Sequence, residues 1–373
     1  MLLNAPHNDW AGKDLMLAIK KQQPEAVFFG IGGRDMEKAG LHGLPGLPHR
    51  VNFLALKNIC TRRSLMRDLT EQCREKNIDT VITIGPAPVF TPLVRRLTKK
   101  LRLVCFHYGN IHKLKQSLSG SGWLLRRGLY KNLRHYKKIF CFFPFLRDHL
   151  EAEGITTQFV SHPMLAHFAE LIPTGEAKPL NAPRRVALLP GRQGATIRAY
   201  MPVMARSLYA LREKAGDAEV VLPLANATNP RFLEPYANLE AQYARGAEKH
   251  KALSGCDAAL AVAGESNLTL AVFGVPMVAV YKTPATGLWQ KLKPQPEGYK
   301  SPINILLGKE AVPEVPARDL ATITGKTKDL LENTPARKAQ LAAFKEVRAA
   351  LRSSEGKSAS SIAAAAFVAA LGR

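Results

Sequence analysis

Short apolar runs closed by glycine or proline, each followed by a stretch with helical spacing, recur along this chain. The clearest is Ala258–Val262, which is continuously apolar and opens into a small-residue turn at Ala263–Asn267. A helix follows and stops at Gly274, and a second apolar run covers Met277–Tyr281. Apolar runs of this length, with a helix between them, predict a parallel βαβ unit. Its turn lies at the carboxyl end of a strand and at the start of a helix, where the helix N-terminus favours an anion. The pattern repeats upstream. Val27–Gly30, Thr80–Ile84, Leu101–Phe106 and Lys138–Phe143 read as strands, and Asp35–Ala39, Arg63–Lys76 and Thr91–Lys100 as helices, with Leu65, Leu69 and Cys73 on one face of the second. Downstream, Arg185–Leu189 and Glu219–Leu224 read as strands and Ile197–Lys214 as a helix. Ala317–Leu371 is mostly helical, with an alanine-rich end at Ser358–Leu371. No internal repeat of fixed period is visible.

This alternation predicts an α/β fold of two Rossmann-like domains, each a parallel sheet with helices on both faces. Prolines 163, 173, 179 and 183 mark the connection between them. The boundaries expected are 1–165 for an N-terminal domain, 166–184 for a linker, 185–350 for a second domain and 351–373 for a C-terminal helix. A chain of 373 residues is long enough for two cores.

Composition changes the picture mainly through charge. The net charge is +23. From Thr80 to Arg147 there are fourteen Lys and Arg and no Asp or Glu. Among them are Arg95, Arg96, Lys99, Arg126 and Arg127, interleaved with apolar residues such as Trp123 and Leu124. A basic, partly apolar surface suits an anionic membrane face, whereas a merely solvated face is the plainer alternative. Nucleic acid is a third partner such a charge admits; no recognised nucleic-acid module supports it. No window approaches 18 apolar residues, so no spanning helix is expected, and no basic segment leads into an apolar run at the N-terminus, so neither is a secretory signal. Five scattered cysteines without a CxxC pair argue against a disulfide framework and a zinc site. A cytoplasmic protein, peripheral on the inner membrane face, is the resulting expectation, with a homo-oligomer left open.

Candidate chemistry gathers at strand-to-helix turns. In Leu188-Leu189-Pro190-Gly191-Arg192-Gln193-Gly194, Gly191 lets the backbone approach a ligand, and Arg192 reads either as a fork for a diphosphate or as a surface cation. In the turn Gly264-Glu265-Ser266-Asn267, Ser266 or Asn267 can cap the helix, and Glu265 reads either as a hydroxyl ligand or as an anion at the positive helix end. Gly30-Ile31-Gly32-Gly33 lacks the third glycine of a dinucleotide fingerprint and reads as a tight turn. His107, directly after a predicted strand, Asp14 and Glu265 are the candidates for a proton-accepting group; a lone histidine is more often structural, and of the other two, His112 and His162, the latter follows an apolar run and is expected to face the cleft near the hinge.

The stretches Leu188–Gly191, Val220–Asn226, Cys256–Gly264 and Gly274–Lys282, with Phe29–Gly40, Phe143–Phe145 and Phe159–Met164 in the first half, resemble the lipid A disaccharide synthase family of GT-B glycosyltransferases. The resemblance implies two Rossmann-like domains facing across a cleft, and transfer of an acylated glucosamine from a UDP-sugar donor to a lipid-linked sugar phosphate acceptor. It implies no cofactor and no metal. Beside it, the two turns read as the nucleotide-sugar site, Gly191, Arg192, Gln193, Gly264, Glu265, Ser266 and Asn267, and the basic window as the membrane contact. The departures fall in the motifs. Gly85-Pro86-Ala87-Pro88 has no carboxylate where the family has one, and Gln193 follows Arg192 where the family has its arginine. Thr269 stands where the family has a glutamate. A catalytically lapsed relative that binds a nucleotide sugar or lipid without turnover is therefore the alternative.

Overall fold

The computed structural model describes residues 2–4, 9–43, 59–78, 80–84, 102–106, 133–175, 180–224, 228–246, 248–282 and 298–371. The chain divides into two compact units, one of residues 1–166 with 351–373 and the other of residues 167–350.

The first unit holds a parallel sheet of β1 (Leu2–Asn4), β2 (Phe28–Ile31), β3 (Leu41–Gly43), β4 (Thr80–Ile84), β5 (Arg102–Phe106), β6 (Lys138–Cys141) and β7 (Thr157–Phe159), in the order β3-β2-β1-β4-β5-β6-β7. Its helices are α1 (Asp9–Gln22), α2 (Arg34–Lys38), α3 (Ile59–Glu75), α4 (Pro144–Ala152) and α5 (Pro163–His167). Helix α1 is amphipathic and buries Ala11, Leu15, Met16 and Ile19 at i, i+4 and i+3 spacing. Proline begins both α4 and α5, where its missing N–H costs nothing.

The second unit holds β8 (Arg184–Leu189), β9 (Ala218–Pro223), β10 (Gln242–Ala244), β11 (Ala258–Val262), β12 (Met277–Tyr281) and β13 (Glu314–Pro316), all parallel, in the order β10-β9-β8-β11-β12-β13. Counted from β8, that is the doubly wound order 3-2-1-4-5-6. Its helices are α6 (Gly194–Ala215), α7 (Glu248–Ser254), α8 (Glu265–Val272), α9 (Pro302–Leu307), α10 (Leu320–Leu330) and α11 (Pro335–Ala350). Helices α6 and α10 share one core with the strands: Ile197, Met201, Met204 and Leu208 meet Val186, Leu188, Val220, Leu260 and Val278. Helix α8 packs against β11, β12, α9 and α11. Gln340 of α11 locks to the first residue of β12, accepting from Met277 N–H at 2.9 Å and donating to its C=O at 3.0 Å.

After α11 the chain returns to the first unit, where α12 (Ala359–Leu371) lies along α1. Ile362, Ala363 and Ala364 enter the core of Leu15, Met16, Phe28, Phe140 and Phe142. The sequence set 351–373 apart as a C-terminal helix and 166–184 as a linker. The structure makes 351–373 part of the first unit and counts 167–184 with the second. The predicted helix Thr91–Lys100 lies outside the described residues, and α6 begins three residues before the expected start. No helix among the described residues is long and apolar enough to cross a membrane.

Candidate functional site

The order of the second sheet reverses between β8 and β11, and both glycine turns singled out in the sequence leave from there. Leu189 pairs with Ala261 across the parallel ladder, so the two strands end almost level. The chain leaves β8 through Pro190–Gln193 into α6, and leaves β11 through Ala263-Gly264 into α8. Two helix N-termini thus open side by side at the carboxyl edge of one sheet, the place where such folds collect ligands.

The first turn is built around Gly191, whose φ of +97° lies in the region that favours glycine. A Cβ there would also come within 2.6 Å of Thr196. Arg192 and Gln193 are both exposed. Gln193 is the N-cap of α6 with extended backbone and no side-chain cap, and the Ile197 N–H bonds back to its C=O at 2.9 Å. No acidic residue sits in that first turn, so the positive end of the helix dipole has no anion of its own. Gly194 admits the Phe232 ring, which a Cβ would meet at 2.4 Å, and the Arg198 guanidinium covers that ring at 4.9 Å.

The second turn is fixed from inside. Asn267, read from the sequence as a ligand contact, is fully buried. Its Oδ1 accepts from Gly264 N–H at 2.9 Å and its Nδ2 donates to Val262 C=O at 3.3 Å. An asparagine three positions into a helix reaches back to the cap amide, so this side chain shapes the turn rather than presenting itself to a ligand. Glu265 and Ser266 are half-exposed in the first turn of α8. Gly264 itself is extended, and among the described residues a Cβ there would meet only Val262 C=O, at 3.9 Å. Packing among the described residues does not require glycine at this position.

The proton-accepting candidates are not brought together among the described residues. Asp14 lies on α1, its carboxylate 3.8 Å from Lys13 Nζ. His107 lies outside the described residues, as do His112, Arg95, Arg96, Lys99, Trp123, Arg126 and Arg127. His162 is buried between Phe142 and Phe143, and its Nδ1 accepts from Met164 N–H at 3.2 Å. Burial pushes its pKa down to about 3, so it stays a neutral core residue.

One acid escaped the sequence reading. Asp9, at the start of α1, accepts from the Gly33 and Asp35 amides at 2.7 Å each and so caps α2. Burial, the largest influence, raises its pKa from the ordinary carboxylate value, against the lowering by the Asp35 and Gly33 amides. A Cβ at Gly33 would come within 2.4 Å of that carboxylate, which explains the second of the paired glycines. The signal in the sequence was an acid at a strand-to-helix junction; its partner, 24 residues away, was not visible.

A parallel sheet in doubly wound order, with two helix N-termini at its switch point and a second Rossmann-like unit in the same chain, is the GT-B fold, which glycosyltransferases share with sugar-nucleotide epimerases. Known structures agree on the fold. The glycosyltransferase SnogD from Streptomyces nogalater aligns over 99% of this chain and 98% of its own, with 16% identity and a TM-score of 0.58. The UDP-GlcNAc 2-epimerase from Neisseria meningitidis aligns over the same shares at 11% identity and the same score. Within that class the sequence is decisive. The family model described as lipid-A-disaccharide synthetase matches residues 6–366, and the chain belongs to that family. The lipid-A-disaccharide synthase of Anaeromyxobacter dehalogenans strain 2CP-C is 28% identical over 351 residues, covering 89% of this chain and 88% of the relative. That of Pseudomonas putida strain W619 is 27% identical over 367 residues, covering 92% and 91%.

Proposed function

We propose that this chain transfers an acylated glucosamine from a UDP donor to an acylated glucosamine phosphate at an anionic membrane face, with the donor diphosphate seated between the amino ends of α6 and α8. Family membership makes it a glycosyltransferase of lipid A biosynthesis.

The observation that carries this reading is the pair of strand-to-helix turns at the β8–β11 switch point. In the reaction the acceptor hydroxyl oxygen attacks the anomeric carbon, the bond from that carbon to the phosphate oxygen breaks, and UDP leaves with the electron pair. Negative charge grows on the departing diphosphate. Uncapped amides and the positive end of the α6 dipole oppose that charge without reorganising. Arg192, exposed beside them, adds a cation that can fork to two phosphate oxygens. Gly264 supports the same reading, because its missing side chain leaves space that none of the described residues fills. The hydroxyl proton passes to a base, for which Asp14 and His107 are the candidates. Several of the fourteen cations between Thr80 and Arg147 meeting an anionic surface, at about 1 kcal/mol each, would support peripheral attachment.

Titration of the full chain with UDP, followed by turnover of a UDP-acylglucosamine with an acylglucosamine phosphate in mixed micelles, tests the reading. Saturable UDP binding, disaccharide formation and a loss of donor affinity in Arg192→Ala are expected. UDP binding without any disaccharide would replace the enzyme by a lapsed binder. Absence of UDP binding at millimolar concentration would remove the seat altogether. Vesicles with and without anionic lipid, sedimented at low and high salt, test the membrane contact.

A further inference from the structure

Tyr200 lies in the second turn of α6, and its phenol reaches across to the chain leaving β12. The hydroxyl accepts from the Lys282 N–H at 2.9 Å. The Lys282 side chain folds back over the same ring, its Nζ 6.0 Å from the ring centroid. Long side chains on a helix lean toward its N-terminus, and this direction carries the phenol to the carboxyl edge of the sheet. Lys282 directly follows β12, which neighbours β11, and Ala263 N–H extends that ladder to Val280 C=O at 2.9 Å. At a strand spacing of about 4.8 Å, Lys282 stands roughly 10 Å along the edge from β8. Its ring contact draws the amine from there toward α6. Lys282 is exposed, so its ammonium is not committed to the core.

We infer that Lys282 supplies a second cation to the donor diphosphate, and that Tyr200 is the positioning residue that sets its backbone and amine at the edge where α6 and α8 open. The inference rests on the proposed seat of the diphosphate. A half-buried phenol has few reasons to spend its acceptor on the first amide beyond a strand end. Here that bond fixes the exit of β12 against the helix whose N-terminus meets the phosphates. Arg192 approaches from the β8 side and Lys282 from the β12 side, so the two cations flank the turn at Gly264. Burial raises the Tyr200 pKa, which keeps the phenol neutral at physiological pH, and the Lys282 amide bond opposes that shift only in part.

The test compares UDP with uridine, which lacks phosphate, by calorimetry on the full chain. Lys282→Met is expected to weaken UDP about 10-fold and leave uridine unchanged, as the loss of one charge-assisted contact predicts. Lys282→Arg should keep most of the affinity, and the salt dependence of UDP binding should become shallower in Lys282→Met. Tyr200→Phe keeps the ring but removes the acceptor, and should raise KM for the donor about 3- to 5-fold with kcat little changed. The Lys282 side chain is exposed, so its variants should melt with the wild type. Wild-type affinity for UDP in Lys282→Met overturns this inference and leaves the seat standing, as does an equal loss for UDP and uridine. Failure of the wild-type chain to bind UDP overturns both.

Discussion

Single residues divide sharply into those the fold needs and those it leaves for a ligand. Gly191 and Gly264 look alike in the sequence, but only the first is forced. Gly191→Ala puts a side chain at φ +97° against Thr196 and should cost about 1–3 kcal/mol in chemical denaturation. Among the described residues, Gly264→Ala meets no atom closer than 3.9 Å at an extended φ, so its stability should stay within about 0.5 kcal/mol of the wild type. UDP affinity should nevertheless fall in Gly264→Ala; an unchanged affinity would mean the space above the turn is empty of ligand. Two histidines set a pH dependence. Burial lowers the pKa of His162 to about 3. It likewise lowers that of His250, ahead of the influence of Lys249 and His167, to about 4. A base depressed in the folded state binds its proton more readily unfolded. The stability each contributes is therefore present above the ordinary histidine pKa of about 6.5, and is lost as pH falls from there toward the folded value. Melting temperature should drop steadily below pH 6, with His162 alone contributing a slope of about 1.4 kcal/mol per pH unit. His162→Met should melt lower at pH 7.5, having lost the Met164 amide contact, yet show a smaller fall between pH 6 and pH 4.5. A parallel curve would show that the histidine is not kept neutral.

At the scale of elements, turns are held by side chains that reach back across them. Asn267 ties Gly264 and Val262 together, and Asp9 ties α1 to the start of α2. Asn267→Ala removes a buried acceptor and donor at once. The loss should cost about 2–4 kcal/mol in thermal or denaturant unfolding and loosen the amide cradle, so UDP affinity should fall with stability. This differs from Gly264→Ala, where affinity should fall alone. These same elements show what the sequence disclosed. β11 and β12 are five-residue apolar runs, and β8 ends in the buried apolar run Val186–Leu189, so the ends of all three were legible. β1, β3, β7, β10 and β13 have three residues each, too few for any periodicity to stand out, and they enter the sheet by pairing alone. Glycine turns announced where a site would open. Whether Asn267 would face a ligand or the backbone was open, because an asparagine at a helix start supports both, and only the direction of its amide decides.

For the molecule as a whole, the two units differ in how their chains close. Residues 167–350 are continuous, whereas the first unit needs 351–373 to finish its core. The crossing segment is stitched down before α12 begins: Ser161 Oγ lies 3.0 Å from Ser353 Oγ, and His162 N–H donates to Leu351 C=O at 2.7 Å. Nothing in the alanines of Ser358–Leu371 named that destination; small residues fit many surfaces, and only the groove of Leu15, Met16 and Ile19 selects among them. Removing 351–373 should expose that groove, raise binding of a hydrophobic dye, and speed amide exchange in α1 while leaving β8, β11 and α6 protected. Retained protection in α1 would show that the helix merely rests there.

This closure has a bearing on biosynthesis. A ribosome releases the amino-terminal residues first, but they wait for a partner encoded more than three hundred codons later. Through most of translation the apolar stripe of α1 is without its cover, and the middle of the chain can fold before the beginning does. The nascent first unit is thus the part with the longest exposure to chaperones and to aggregation.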